Sequence, residues 1–331
     1  MPTSPNRALE VRALGNRRND LAALRACASA EAVHHGGVLS RDLLRATGID
    51  RHLVRNAVTA GRWALAGRQT VAMQTGPLDQ LARRWRAVWE VGEQIAAIDG
   101  VSALQAAGLV NFSDSRVHVS VVHTAALRPV EGVEVHKVIR RTPQELAGAG
   151  LPRTRPAVAA IRAAHWAASD RQAALILCMT VQQRLCTGAQ LREAEADIPG
   201  RNRRAFIHQI VGDVADGAHS LGELDVLTAL RRRGLPPPTR QSLRQLPGGK
   251  VYLDMEWEEA RLVVEVDGAG HVTGLQMVDD DLRQNAVAMG DRLVIRIGLI
   301  GWRLFREQYL DQVCTAYWPR VRTWTDSPPA A

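Results

Sequence analysis

Two short segments near the end of the chain carry acidic residues at alternate positions. Val251–Trp257 holds Tyr252, Asp254 and Glu256 in this phase, and Leu262–Asp267 holds Val263, Glu265 and Asp267. Strand side chains alternate faces, so each trio falls on one face. If Glu258–Arg261 forms a four-residue hairpin loop, Asp254 stands directly opposite Glu265. Like charges paired this way are destabilising, so such a pair shares a proton, holds a cation or adopts another register. The cation is the arrangement with a chemical use. Mg²⁺ or Mn²⁺ binds a few carboxylates together with waters and phosphate oxygens, activates a water and offsets charge at a scissile phosphate. The expected metal-holding and catalytic carboxylates are Asp254, Glu265, Glu223 and Asp267, with His271 as proton donor to the leaving oxygen. Each has a plainer reading. Ser220-Leu-Gly-Glu223 is also a capping box, Asp267 before Gly268 also suits a turn, Asp254 and Glu265 could pair with Arg283 or Arg296, and His271 could be an exposed loop histidine.

The elements expected around these residues run in the order αβββαβα. They are a helix Leu221–Arg233, strands Thr239–Leu246, Val251–Trp257 and Leu262–Asp267, a helix Met277–Met289, a strand Arg292–Ile297 and a last helix Trp302–Trp318. This is the order of a PD-(D/E)XK nuclease core. Gly268-Ala-Gly270 after a hydrophobic strand does not make a dinucleotide loop, because the third glycine is misplaced and Glu265 and Asp267 would repel a pyrophosphate. Gly248-Gly249-Lys250 lacks the spacing of a phosphate loop.

Upstream, a different chemistry is expected. A basic arm over residues 1–19 leads to a helix Asp20–Val33 that His34-His35-Gly36-Gly37 breaks. Ser40 caps a short helix Arg41–Ala46, Thr47-Gly48 turns the chain, and Asp50 caps a second helix to about Ala60. Segments Arg62–Ala66 and Gln69–Met73 flank Gly67-Arg68 as a hairpin. That succession is a winged helix-turn-helix pattern. Leu53, Val54, Ala57 and Val58 are then expected inside, leaving Arg51, His52, Arg55, Asn56 and Thr59 for DNA, with Arg62 and Arg68 on the wing. Arg reads guanine edges or phosphates and Asn reads adenine. The alternative is a protein-binding winged helix with a solvated polar face.

Residues 86–205 read as a mixed region: helices near Trp89–Ile98 and from Ser102, strands Val117–His123 and Val133–Val138, and helices Pro156–Ser169 and Arg171–Leu185. His118, His123 and His136 sit in strand patterns with no neighbouring carboxylate evident in the sequence, so no metal is assigned to them.

Charge follows the same division. The formal net charge is +8, with 42 Lys and Arg of which only Lys137 and Lys250 are lysine. It splits as +7 over 1–85, +4 over 86–205 and −3 over 206–331. A basic segment favours a polyanion and an acidic one repels it unless cations intervene. At about 150 residues per domain, 331 residues predict two or three domains, read here as 20–85, 86–205 and 206–325. An apolar fraction of 46% excludes global disorder. No apolar run approaches the ~18 residues of a membrane span, and no signal-like segment opens the chain, so a cytoplasmic protein without membrane partners is expected. Cys27, Cys178, Cys186 and Cys314 are too far apart for a CxxC zinc site and read as reduced thiols.

Two resemblances join these readings. His35-Gly-Gly-Val-Leu-Ser-Arg-Asp-Leu-Leu through Met73, with Val101-Ser-Ala-Leu-Gln-Ala-Ala-Gly-Leu, Val117-His-Val-Ser-Val and Val133-Glu-Val-His-Lys, resembles the AbiEi-type antitoxin and regulator family over about residues 20–195. The resemblance implies promoter binding by the winged helix, a regulatory middle domain and a toxin as possible partner. Leu262-Val-Val-Glu-Val-Asp-Gly, His271 and Asp280-Asp-Leu-Arg-Gln-Asn resemble a group related to very-short-patch-repair endonucleases within the PD-(D/E)XK superfamily, over about residues 215–318. This resemblance assigns Asp254 to the first aspartate, Glu265 to the glutamate of the paired motif and Glu223 to the helix glutamate. Asp267 stands where lysine is usual, which leaves stabilisation of the transition state to Arg283, Gln284 or a second metal. The expectation is a multi-domain α/β protein that binds DNA and hydrolyses its phosphodiesters with Mg²⁺ or Mn²⁺. The alternative is an AbiEi-like regulator or antitoxin whose nuclease fold is silent.

Overall fold

A computed structural model describes residues 21–124, 128–215, 221–246, 250–267 and 293–325; at 221–225, 240–254, 267, 299 and 322–325 the description is of the backbone. His271, Arg283, Gln284, Ser220 and the expected helix Met277–Met289 lie outside the described residues. The chain is mixed α/β and divides into two compact units, residues 1–106 with 112–155 and residues 107–111 with 156–331.

The first unit begins with helix α1 (residues 21–33), strand β1 (Val38–Ser40), helix α2 (Arg41–Ala46), helix α3 (Arg51–Thr59) and strands β2 (Ala64–Leu65) and β3 (Thr70–Ala72). The capping residues act as their types require: Ser40 Oγ accepts from Leu43 N–H, and Asp50 accepts from His52 and Leu53 N–H. Between the two helices Gly48 has φ +84, and Leu24 packs where a Cβ would sit, so glycine suits the turn on both counts. The strands form an antiparallel sheet in the order β1-β3-β2, in which Val38 faces Ala72 and Ala64 faces Ala72 from the other side. Ala28, Leu39, Leu44, Ile49, Val54, Ala57, Trp63 and Val71 make one buried core.

Helix α4 (Gln80–Val91) follows, capped by Asp79 and ended by Gly92 at φ +134. It replaces the expected helix at Trp89–Ile98, whose last residues instead form a short strand β4 (Ala97–Ile98). Helix α5 (Gly100–Ala106) and strands β5 (Val117–Val122) and β6 (Val133–Val138) complete the unit in a sheet of order β4-β5-β6, with β5 and β6 parallel.

The second unit opens with four helices, α6 (Pro156–Trp166), α7 (Asp170–Gln182), α8 (Gly188–Asp197) and α9 (Arg204–Ala215). Helix α10 (Leu221–Arg232) leads into strands β7 (Arg240–Leu246), β8 (Lys250–Trp257) and β9 (Leu262–Asp267), then strand β10 (Leu293–Gly298) and helix α11 (Leu299–Thr325), which kinks at Phe305. The sheet order is β10-β9-β8-β7: the first three strands in sequence form an antiparallel meander and β10 lies parallel to β9. Met255, Trp257, Leu262, Val264, Val266, Ile295 and Ile297 are buried in one core with Val226 and Leu230 of α10 and Trp302, Tyr309 and Val313 of α11. Apolar residues at alternate strand positions thus bury one sheet face against two helices, and the acidic residues occupy the positions between them. Arg303 Nε donates to Asp213 Oδ2 at 3.1 Å, tying α11 to α9.

Candidate functional site

The polar positions of the larger sheet form a row across its strands. Asp254 is directly opposite Glu265 in the β8–β9 register, the pairing expected from a four-residue connection, which here is a 3₁₀ turn Glu258–Ala260 and Arg261 in the left-handed region at φ +46. Ser242 stands opposite Asp254 on the β7 side, and Arg296 stands opposite Glu265 on the β10 side. Arg296 Nε donates to Glu265 Oε2 at 3.1 Å, and the two side chains are 55% and 30% exposed. The structure therefore gives Glu265 the arginine partner that was one of its sequence alternatives. Tyr252 stands opposite Asp267, one pleat along the sheet. Glu223 lies in the first turn of α10, and for it, Asp254 and Asp267 the description stops at the backbone. Among the described residues no group of three or more His, Cys, Asp or Glu is disposed to hold a metal ion.

In the first unit, α3 buries Val54 and Ala57 and half-buries Leu53 and Val58, while Arg51, His52, Arg55, Asn56 and Thr59 are exposed. A period of 3.6 explains both sets. His52 lies 3.4 Å from the guanidinium nitrogens of both Arg51 and Arg55, so these three side chains form one cluster. Beneath them, the Leu53 amide above all, with the His52 amide, holds the Asp50 carboxyl below its ordinary value against a smaller opposing effect of desolvation. Arg62 and Arg68, one on each side of the β2 strand, are also exposed.

Three residues that the sequence reading did not select support this surface. Glu90 accepts from the Arg68 and Gln69 amides and from the Thr70 hydroxyl, Arg41 Nε donates to the Arg68 carbonyl, and Arg86 Nε donates to the Ala66 carbonyl. No local pattern marks Glu90, which is 20 to 22 residues from its partners.

The histidines of the smaller sheet also gain a carboxylate that the sequence did not suggest. Asp114 Oδ2 lies 3.1 Å from His118 Nε2, and His118 Nδ1 lies 2.9 Å from His136 Nε2. Burial first, then the neighbouring His118, pushes His136 down to about 4, so its imidazole is neutral near pH 7. His123 instead faces the Ile139 carbonyl. Of the thiols, Cys178 and Cys186 are buried, Cys314 is half-buried and Cys27 is exposed; all four are free.

No family model matches the chain, and no curated protein matches it. Among solved structures it is similar to the crystal structure of the RV2827C protein from Mycobacterium tuberculosis, at 16% identity and a TM-score of 0.39 over 63% of this chain and 84% of that one. Among the described residues no helix is long and apolar enough to cross a membrane.

Proposed function

We propose that the chain binds DNA through a winged helix-turn-helix in its first unit and hydrolyses DNA phosphodiesters with Mg²⁺ or Mn²⁺ at a PD-(D/E)XK-type sheet in its second. The observation that carries the hydrolytic half is the register of Asp254 against Glu265 on the polar face of a sheet whose other face is core. The meander followed by a parallel strand is consistent with a nuclease-type core. The opposed donors are carboxylate oxygens, the hard ligands Mg²⁺ and Mn²⁺ take, and the cation's remaining positions suit water and phosphate. In this reading Asp254 and Glu265 hold the ion, with Glu223 and Asp267 as further donors. The bound ion would supply an activated water and offset charge at phosphate. Arg51, Arg55 and Asn56 read or hold the duplex from α3, and Arg62 and Arg68 hold its backbone.

A second reading rests on the Arg296–Glu265 ion pair. A guanidinium already on the carboxylate is what a retired site would keep, and the chain would then be an AbiEi-like regulator, with a toxin as its protein partner and the sheet as an interaction module.

The test is calorimetric titration of Mg²⁺ and Mn²⁺ into the full chain and its Asp254→Ala variant, with plasmid nicking followed on the same samples. Binding and nicking that both disappear in the variant are the expected result. Nicking that persists in Asp254→Ala refutes the site, and a wild-type chain that binds neither ion favours the regulator.

A further inference from the structure

The β2–β3 hairpin turns through Gly67, Arg68 and Gln69, and the four backbone polar groups of Arg68 and Gln69 are all engaged within the protein. Arg68 N–H donates to Glu90 Oε2 at 2.9 Å and Gln69 N–H to Glu90 Oε1 at 2.8 Å. The Arg68 carbonyl accepts from Arg41 Nε at 2.7 Å and the Gln69 carbonyl from Arg41 N–H at 2.8 Å. The buried Thr70 hydroxyl donates a third bond to Glu90 Oε1 at 2.8 Å. Residue 67 must be small for this to happen, because a Cβ on Gly67 would fall 2.3 Å from Glu90 Oε1. One turn earlier on α4, Arg86 secures the hairpin through the Ala66 carbonyl and reaches the Glu131 carbonyl at 3.0 Å.

Two successive amides with a hydroxyl beside them make a concavity of the kind that otherwise takes a phosphate. Here the protein fills it with its own carboxylate. Two consequences follow for a DNA-binding hairpin. Neither Arg68 nor Gln69 has a backbone amide left to offer a phosphate, so these two exposed residues meet the duplex through their side chains. Their backbone is also fixed before DNA arrives, and ordering it on binding would otherwise weaken the complex.

We propose that Glu90 is a positioning residue for DNA binding: it touches no DNA, and it sets the wing tip so that the Arg68 guanidinium is presented ready-made to the duplex backbone. This rests on the winged-helix reading above. Glu90→Gln keeps the shape but offers one acceptor oxygen and one NH₂, so it cannot serve the Arg68 and Gln69 amides together. Gly67→Ala attacks the same contact from the other side, and because it displaces only the end of a flexible side chain, the rest of the fold is left in place.

The experiment measures full-chain affinity for a short duplex of mixed sequence by fluorescence anisotropy over a salt series. It compares wild type, Glu90→Gln, Gly67→Ala, Arg68→Ala and the Glu90→Gln/Arg68→Ala double variant, with amide exchange at Arg68 and Gln69 measured alongside. Expected are an affinity loss of about tenfold in both Glu90→Gln and Gly67→Ala, faster exchange at the two amides, and a salt slope reduced by about one in Arg68→Ala. The double variant should lose little more than Glu90→Gln alone, since Arg68 is then already misplaced. A residue that merely stabilised the fold would give losses that add. Additive losses, or wild-type affinity in Glu90→Gln, overturn the proposal alone. A wild-type chain that binds no duplex overturns the DNA reading and the proposal with it.

Discussion

Glu265 and His136 are both partly buried ionisable side chains, and the chain treats them differently. Glu265 forms an ion pair with Arg296, and because both side chains are part-exposed the pair contributes no more than about 1 kcal/mol. Such a pair is weak enough for the proposed divalent cation shared with Asp254 to displace. His136 is instead held neutral, by burial and by His118, with Glu134 opposing and Arg116 adding to the effect. Its folded value of about 4 lies below the ordinary 6.5, so as pH falls the unfolded chain takes up this proton first. The stabilisation is therefore complete above pH 6.5 and is lost as pH drops toward 4. It is on the order of 2 kcal/mol once partial access of water is allowed for. Thermal midpoints between pH 7.5 and 4.5 should fall, and His136→Asn should flatten that fall; an unchanged slope in the variant would place the acid sensitivity elsewhere. The histidine partnership was illegible in the sequence because β5 and β6 meet only through a parallel pairing that no local pattern announces.

Elements were legible where a cap or a period marked them. Asp50 and Ser40 supply the caps of α3 and α2, the alternation in β8 and β9 supplies their period, and the observed bounds of all four differ from the expected ones by a residue or so. The α4 helix lies earlier in the chain than the expected one, because its limits are set by Asp79, whose carboxylate accepts from Ala82 N–H, and by Gly92. Strand β1 is three residues long, too short to show alternation. Helices α8 and α9 were not read, although Thr187 and Gln190 form a reciprocal capping box at the start of α8. Packing between those two helices explains a residue that local preference would not choose. Gly188 begins α8, and a Cβ there would lie 2.6 Å from the Ala215 Cα, which is backbone and cannot swing aside. Gly188→Ala should therefore destabilise the protein by about 1–3 kcal/mol through overpacking, although alanine is the better helix former. Denaturant unfolding gives the sign directly: a stabilised variant would mean that propensity outweighs the contact and that the two helices separate without cost.

At the scale of the whole molecule, charge separates the two proposed activities along the chain. The first 85 residues carry +7 and the last 126 carry −3, so electrostatic attraction for a duplex is concentrated where α3 and its hairpin expose Arg51, Arg55, Arg62 and Arg68. Each phosphate neutralised by one of these releases counterions and contributes about −0.9 to the slope of log affinity against log salt. Four such contacts give a slope of about −3.6 and roughly a hundredfold loss of affinity between 50 and 200 mM salt. The acidic sheet should add nothing, because its carboxylates repel phosphate unless a cation intervenes. The full chain in EDTA is therefore expected to show this slope unchanged by Asp254→Ala, and to lose about one from it with each of Arg51→Gln, Arg55→Gln, Arg62→Gln and Arg68→Gln that meets phosphate rather than a base edge. Adding Mg²⁺ or Mn²⁺ should then strengthen binding in wild type but not in Asp254→Ala beyond the ordinary effect of ionic strength, since under the proposed function only the intact carboxylate pair would turn the second unit from a repellent surface into a phosphate-binding one. A slope that none of the four arginine substitutions changes would move the DNA off the first unit altogether.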